Sequence, residues 1–214
     1  MAVPDDALQR YPPLPYYEIK RLARTGDLIL CSGRTPFSRM IRWATGSPWS
    51  HVALVARVDA LDRVMVLESV ERTGVRAVAL RSFISHGSSG RRPFPGRLLL
   101  IRHREFEHQA TPKRLIAMAD FAVDRFGAPF SFREVVRIAT RILLGAIKVR
   151  MPGRLNPRTE YICSEYVGKC YERIGIQIPW DGRGFIAPCD FARDPDIEVV
   201  AQIDPSIERP DKHA

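Results

Sequence analysis

The stretch SHVALVARVDALDRVMVLESV, from Ser50 to Val70, constrains the fold more than any other. Two apolar runs, 52–58 and 64–67, flank a polar connection at Asp59–Asp62, which is the pattern of two strands joined as an antiparallel hairpin. If the hairpin folds symmetrically about residues 60 and 61, Glu68 opposes Ala53 and His51 lies diagonally beside it on the same sheet face. A slip of one residue would put the two on opposite faces. A carboxylate inside VMVLESV requires a partner. His51 is the economical candidate, with Arg76 or solvent as the alternatives.

Further strands are expected on both sides of this hairpin. GDLILCSG (26–33) has a short apolar run between glycines, and GVRAVALRSF (74–83) and RLLLIRH (97–103) add two more, giving about five strands, mostly antiparallel. SRMIRWATG reads as a short helix stopped at Gly46, and the 85–97 stretch reads as a polar loop. The second half changes period. Apolar residues at 115, 116, 118, 119, 122, 123 and 126 predict an amphipathic helix over 111–127. A second helical pattern runs to about Lys148, and a third over 159–175 is closed by Gly175. IQIPW and IEVVAQI read as short strands near the end. The expected organisation is an extended arm over 1–20, one domain over 21–203 and a tail over 204–214.

Composition excludes several classes. No run of 18 uninterrupted apolar residues exists to span a bilayer, and the acidic, proline-rich start lacks the pattern of a secretory signal, so a cytoplasmic protein is expected. The cysteines at 31, 163, 170 and 189 contain no CxxC pair, which disfavours zinc knuckles and thioredoxin motifs. Cys31, Cys170 and Cys189 read as core residues. A net charge of +9 is compatible with an acidic partner or an anionic surface, but no RNA-binding or helix-turn-helix signature points to specific nucleic acid.

Cys163 differs from the other three. The apolar spacing of Ile162, Tyr166, Val167, Cys170 and Ile174 places it in the first turn of a helix. There the free amides and the helix dipole favour a thiolate and can also bind an oxyanion. A thiolate nucleophile works with an imidazole. Of the five histidines, His51 alone opens a strongly apolar strand, at a position where a sheet presents a side chain to a cleft. Glu68 is the candidate third group that orients the ring, with Asp190 as a replacement. Trp49, Tyr161 and Ser164 flank these residues and are the candidate substrate contacts. Packing is the alternative for the two aromatics, and support of the helix start is the alternative for Ser164.

The string GDLIL, TGSPWSHVALV, VMVLES, YICSEYV resembles the permuted branch of the NlpC-type papain-like cysteine hydrolases, the YiiX/YebB-like family. In that branch the strand beginning S-H-V precedes a late helix with a C-S-E-L-V-like start. The matching motifs span roughly residues 22–175, with Tyr166 where the family pattern often has leucine. The resemblance implies a circularly permuted papain-like α+β fold, its antiparallel sheet packed against a helix that bears the nucleophile. It makes Cys163 the nucleophile, His51 the base and Glu68 the orienting acid.

The expected activity is hydrolysis of an amide, peptide or acyl bond through a thioester, with no metal or organic cofactor. The alternatives are lipid acyl hydrolysis or transfer at a membrane, and a basic binding module without catalysis. The membrane reading rests on the stretch 133–158, which carries seven cations against one acid, with Arg133, Arg137 and Arg141 at four-residue spacing beside an apolar face. Its alternative is a solvated helix packed on its own domain.

Overall fold

The structure, a computed structural model, describes residues 2–4, 6–86, 93–131, 162–179 and 186–206. Among the described residues seven strands form one sheet: β1 (Pro13–Leu14), β2 (Leu28–Gly33), β3 (His51–Val58), β4 (Arg63–Val70), β5 (Gly74–Ala79), β6 (Gly96–His103) and β7 (Ile197–Ile203). Their order is β1-β7-β6-β2-β3-β4-β5, and every neighbouring pair is antiparallel except β1 with β7. The architecture is therefore α+β, with a sheet wider than the five strands expected. Of the terminal segments read as strands, IEVVAQI is β7, whereas residues 176–179 of IQIPW form no strand.

Helices cover both faces. On one, α1 (Pro36–Thr45) follows β2, and α2 (Pro112–Asp124) packs beside α3 (Cys163–Arg173), which lies across β3 and β4. On the other, α4 (Tyr16–Leu22) and α5 (Leu80–His86) contribute Ile19, Leu80, Phe83 and Ile84 to a second core. This layering explains the continuous apolar runs LILC, VALV and LLLI. Leu28, Leu30, Val52 and Leu54 face α2 and α3, while Ile29, Cys31, Ala53 and Val55 face the opposite core. Strands buried on both faces lose the alternation of a half-exposed sheet.

Two expectations change here. Residues 1–20 are not an extended arm: they carry a short turn of helix at Ala7–Arg10, strand β1 and most of α4, with Ala7 and Ile19 fully buried. Their prolines separate these pieces rather than extend the chain. The strand expected over 74–83 ends at Ala79, and Leu80, Phe83 and Ile84 recur at helical spacing, burying one face of α5. The short helix after β2 is as expected, with the Thr35 hydroxyl accepting from the Ser38 amide at its start and Gly46 in the left-handed region (φ 59°) at its end. The basic helical stretch with Arg133, Arg137 and Arg141 lies outside the described residues, as does Tyr161.

The β4–β5 turn sets the register that sends Arg76 across to Glu68. Gly74, which opens β5 after that turn, has φ 70°, and a Cβ added there would collide with the Ala128 carbonyl. Gly74→Ala should therefore cost about 2 kcal/mol, seen as a melting temperature lower by roughly 4–8 °C. An unchanged melting temperature would contradict this tight approach.

Candidate active site

His51 is fixed by the junction of β2 and β3. The Ser50 amide donates to the Cys31 carbonyl (2.8 Å), and the Ser50 hydroxyl both accepts from the Gly33 amide (3.0 Å) and donates to the Cys31 carbonyl (3.1 Å). In this register His51 faces Cys31 directly across the strands. The hairpin pairs Leu54 with Leu67, and the same register carried one residue further sets Ala53 against Glu68, with His51 diagonal to it as expected. The connection is a single 3₁₀ turn at Asp59–Leu61, closed by Asp62 in the left-handed region (φ 47°).

Glu68 is 2% exposed, and its two oxygens serve different partners. Oε2 lies 2.9 Å from His51 Nε2, while Oε1 accepts from Arg76 Nε (2.9 Å) and Nη2 (2.6 Å). The sequence posed His51 and Arg76 as rivals for this carboxylate; the structure joins both to it. Burial pushes the carboxyl up, but the His51 hydrogen bond and charge, with the Arg76 guanidinium, outweigh it and hold the group below the usual carboxylate range.

Cys163 opens α3, with Ile162 in the capping position. Two tyrosines hold that helix in place: the Tyr166 hydroxyl donates to the Ala122 carbonyl (3.0 Å) in α2, and the Tyr171 hydroxyl donates to the Gly26 carbonyl (2.5 Å) ahead of β2. The departure from leucine at Tyr166 is thus a matter of packing. The Cys163 side chain and the His51 ring line the same cavity and act on each other, and the Val52 and Ser164 amides also act on the sulfur. With Nε2 on Glu68, Nδ1 is the ring nitrogen available to sulfur. Burial raises the Cys163 pKa, but the His51 charge and hydrogen bond and the two amides bring it below the ordinary thiol value. Burial lowers the His51 pKa, yet the thiolate and Glu68 together raise it to about 10. The stable form of this group is an imidazolium between two anions.

The other thiols lack these surroundings. Cys31 is pushed well above its ordinary value by burial and by the nearby Glu68 and Cys163 charges, and burial takes Cys170 up to about 12. Both stay protonated core residues, as expected. Asp190 does not replace Glu68, because its carboxylate accepts from the Ala187 amide (2.8 Å) and caps the short helix Pro188–Arg193.

Beside the sulfur is a cavity of about 460 Å³. His51, Glu68, Cys163 and Ser164 meet at its polar end, and Phe37, Met40, Phe83, Phe94 and Phe130 contribute to its walls. Ser164 is 1% exposed, and its hydroxyl donates to the Ile186 carbonyl (2.6 Å), tying that segment to the start of α3. It supports the helix start, the role given as its alternative. Trp49 is 1% exposed and belongs to the core, so it packs instead of lining the cleft. Phe94, in the stretch read as a loop, stacks on Phe83 with ring centroids 5.9 Å apart. The sequence reading missed this wall; the one available signal was the apolar face of α1.

A second cluster lies elsewhere. His103, Asp194 and Asp196 each bring one potential ligand atom within 4.8 Å of the others. These residues do not fit a metal as they stand. The Glu105 amide donates to His103 Nδ1 (3.2 Å), which leaves the ring proton on Nε2, directed toward Asp194 Oδ2 at 3.6 Å. Asp194 Oδ1 already accepts from the Asp196 amide (2.9 Å). A cation at Nε2 would require the Glu105 hydrogen bond to break.

Among the described residues no helix is long and apolar enough to cross a membrane. No protein-family model and no curated protein matches the chain. Among solved structures, the crystal structure of the metalloprotein YiiX from Escherichia coli O157:H7 (DUF1105) matches with a TM-score of 0.59 at 19% identity, covering 85% of this chain and 98% of that one. The chain has the fold of YiiX, with Cys163, His51, Glu68 and Arg76 gathered at one end of its sheet.

Proposed function

We propose that the protein is a cysteine hydrolase of the permuted papain-like type, which opens an amide or acyl bond through a thioester on Cys163. The observation that carries this reading is the line of contacts from Cys163 through His51 to Glu68, with the sulfur at a helix start and facing a cavity. The chain order supports the permuted form, since the histidine strand β3 precedes the cysteine helix α3.

The Cys163 thiolate attacks the substrate carbonyl, and the developing oxyanion is met by the Cys163 amide, one of the helix-start N–H groups without an intrahelical partner. His51 gives its proton to the leaving amine or alkoxide as the C–N or C–O bond breaks, leaving a thioester. Water then loses a proton to His51 and attacks the thioester, releasing the carboxylic acid and restoring the thiolate. Glu68, fixed by Arg76, keeps the ring oriented throughout. The metal named for YiiX is given no step here, because a cation at His103 Nε2 would require the Glu105 amide hydrogen bond to Nδ1 to break.

A thiol-directed alkylating probe tests this reading. Cys163 should label in the native protein and the three other cysteines only after denaturation, with labelling lost in Cys163→Ser and strongly slowed in His51→Ala. Equal labelling of all four, or none without denaturant, would remove the hydrolase reading. The pH profile adds a second check. Alkylation needs only the thiolate, so its rate should fall on acidification through a midpoint below the ordinary thiol value and persist at high pH. Turnover also needs the His51 proton, so it should decline above about pH 10.

A further inference from the structure

We infer that a shallow pocket on the far side of α1 from the active-site cavity binds a nucleotide, its base laid on Trp43 and its phosphates held by Arg34, Arg39 and Arg42. The hydrolase reading neither includes this site nor is needed for it.

The residues of α1 divide between two faces. Phe37, Met40, Ile41 and Ala44 recur at helical spacing and contribute to the cavity beside Cys163. Arg39, Arg42 and Trp43 fall on the opposite side of the helix, where they line a separate pocket with Arg34 and residues 46–48. No aspartate or glutamate lines that pocket, and none of the three arginines is in an ion pair among the described residues. Arg42 is held in place. Its Nη1 donates to the Gly33 carbonyl at the end of β2 (3.2 Å), while its Nε is closed to solvent and has no hydrogen-bond partner. The Ser47 hydroxyl oxygen accepts from the Trp49 amide (3.3 Å), which leaves its proton free to donate.

Three unpaired guanidinium groups at one hollow match phosphate oxygens, which accept from arginine in pairs. The C-terminal end of α1 lies at the same pocket, and its partial negative charge opposes an anion. That end carries about half a charge against three, and its Arg42 and Trp43 carbonyls already accept from the Ser47 and Gly46 amides. Trp43 accounts for the other half of the ligand. It is 68% exposed, and an indole left in water beside arginines is a platform for a flat ring. An anionic bilayer is the rival occupant, but an interfacial helix sinks a whole apolar face, and the apolar face of α1 lines the other cavity. One indole with three cations fits a single molecule that carries ring and phosphates together.

Calorimetric titration with ADP and with GDP tests this, since stacking accepts either base. Both should bind the full chain saturably below about 1 mM, more tightly than adenosine or inorganic pyrophosphate, and more weakly as salt is raised. Trp43→Ala should weaken ADP by about fivefold to a hundredfold and leave pyrophosphate unchanged. Arg39→Gln and Arg42→Gln should each weaken both ADP and pyrophosphate by about tenfold or more. Arg39 is exposed, so its variant keeps the test open if loss of the Gly33 contact unfolds the other. No binding of either nucleotide at about 1 mM, or ADP affinity unchanged in all three variants, would overturn the site. Pyrophosphate bound as tightly as ADP, with Trp43→Ala changing neither, would overturn the nucleotide in favour of a bare phosphoryl group. Protein that ignores ADP but sediments with phosphatidylglycerol vesicles until Trp43 and Arg39 are replaced would overturn it in favour of a membrane surface. The labelling of Cys163, on which the hydrolase reading is tested, is a separate result in every case.

Discussion

Cys163→Ala and His51→Ala should each lower kcat by roughly ten-thousandfold to a millionfold, and the double variant should be scarcely worse than either single one. The reason is that neither group works alone. Sulfur without the ring is a buried thiol, because burial by itself raises its pKa and the imidazolium is the largest of the influences that bring it down. The ring without sulfur is a base with nothing to activate. Groups acting as one unit give non-additive losses, so a double-variant cycle on any substrate turned over is the measurement. Losses that multiply, or a His51→Ala enzyme near wild-type activity, would show that the two residues act separately or not at all.

Glu68→Ala should destabilise the fold by about 3–5 kcal/mol, because it leaves His51 and Arg76 facing each other in a buried pocket without the carboxylate between them. That is a large share of the roughly 5–15 kcal/mol that holds a domain folded. Glu68→Gln separates activity from stability. Its amide oxygen can still accept from Arg76, but its NH₂ group then points at His51 Nε2 and forces the ring proton onto Nδ1. That nitrogen faces sulfur and can no longer take its proton, so kcat should fall roughly a thousandfold to ten-thousandfold, with a smaller loss of stability than in Glu68→Ala. Denaturant unfolding and kinetics on the same two variants measure both. A Glu68→Ala protein with wild-type stability and turnover would reduce the carboxylate to a bystander.

The hairpin was legible in the sequence because two continuous apolar runs about a short polar connection fold back symmetrically into one register. That register alone put His51 and Glu68 on the same face. The placement of Cys163 at a helix start followed equally from apolar spacing. Other features depend on distances along the chain that spacing does not encode. Arg76 looked like a rival of His51 because pattern reasoning assigns a carboxylate one partner, whereas the two oxygens of Glu68 face opposite ways. The helical turns and the short strand of residues 7–22 are separated by prolines and are too brief to show a period, and they form by packing on the sheet. Trp49 looked like a cleft residue by adjacency, but its indole lies in the core. The cavity was invisible because its walls come from α1, α5 and the residues around 94, 130 and 186.

The central claim is that the fold holds Cys163 as a thiolate against an imidazolium. Ultraviolet thiolate absorbance, titrated with pH and corrected by subtracting the Cys163→Ser protein, reads that ionisation directly. The midpoint for Cys163 should lie below the ordinary thiol value and move above it in His51→Ala, where burial acts unopposed by the ring. A Cys163 that ionises only above the ordinary thiol range, with a midpoint indifferent to His51→Ala, would contradict the account.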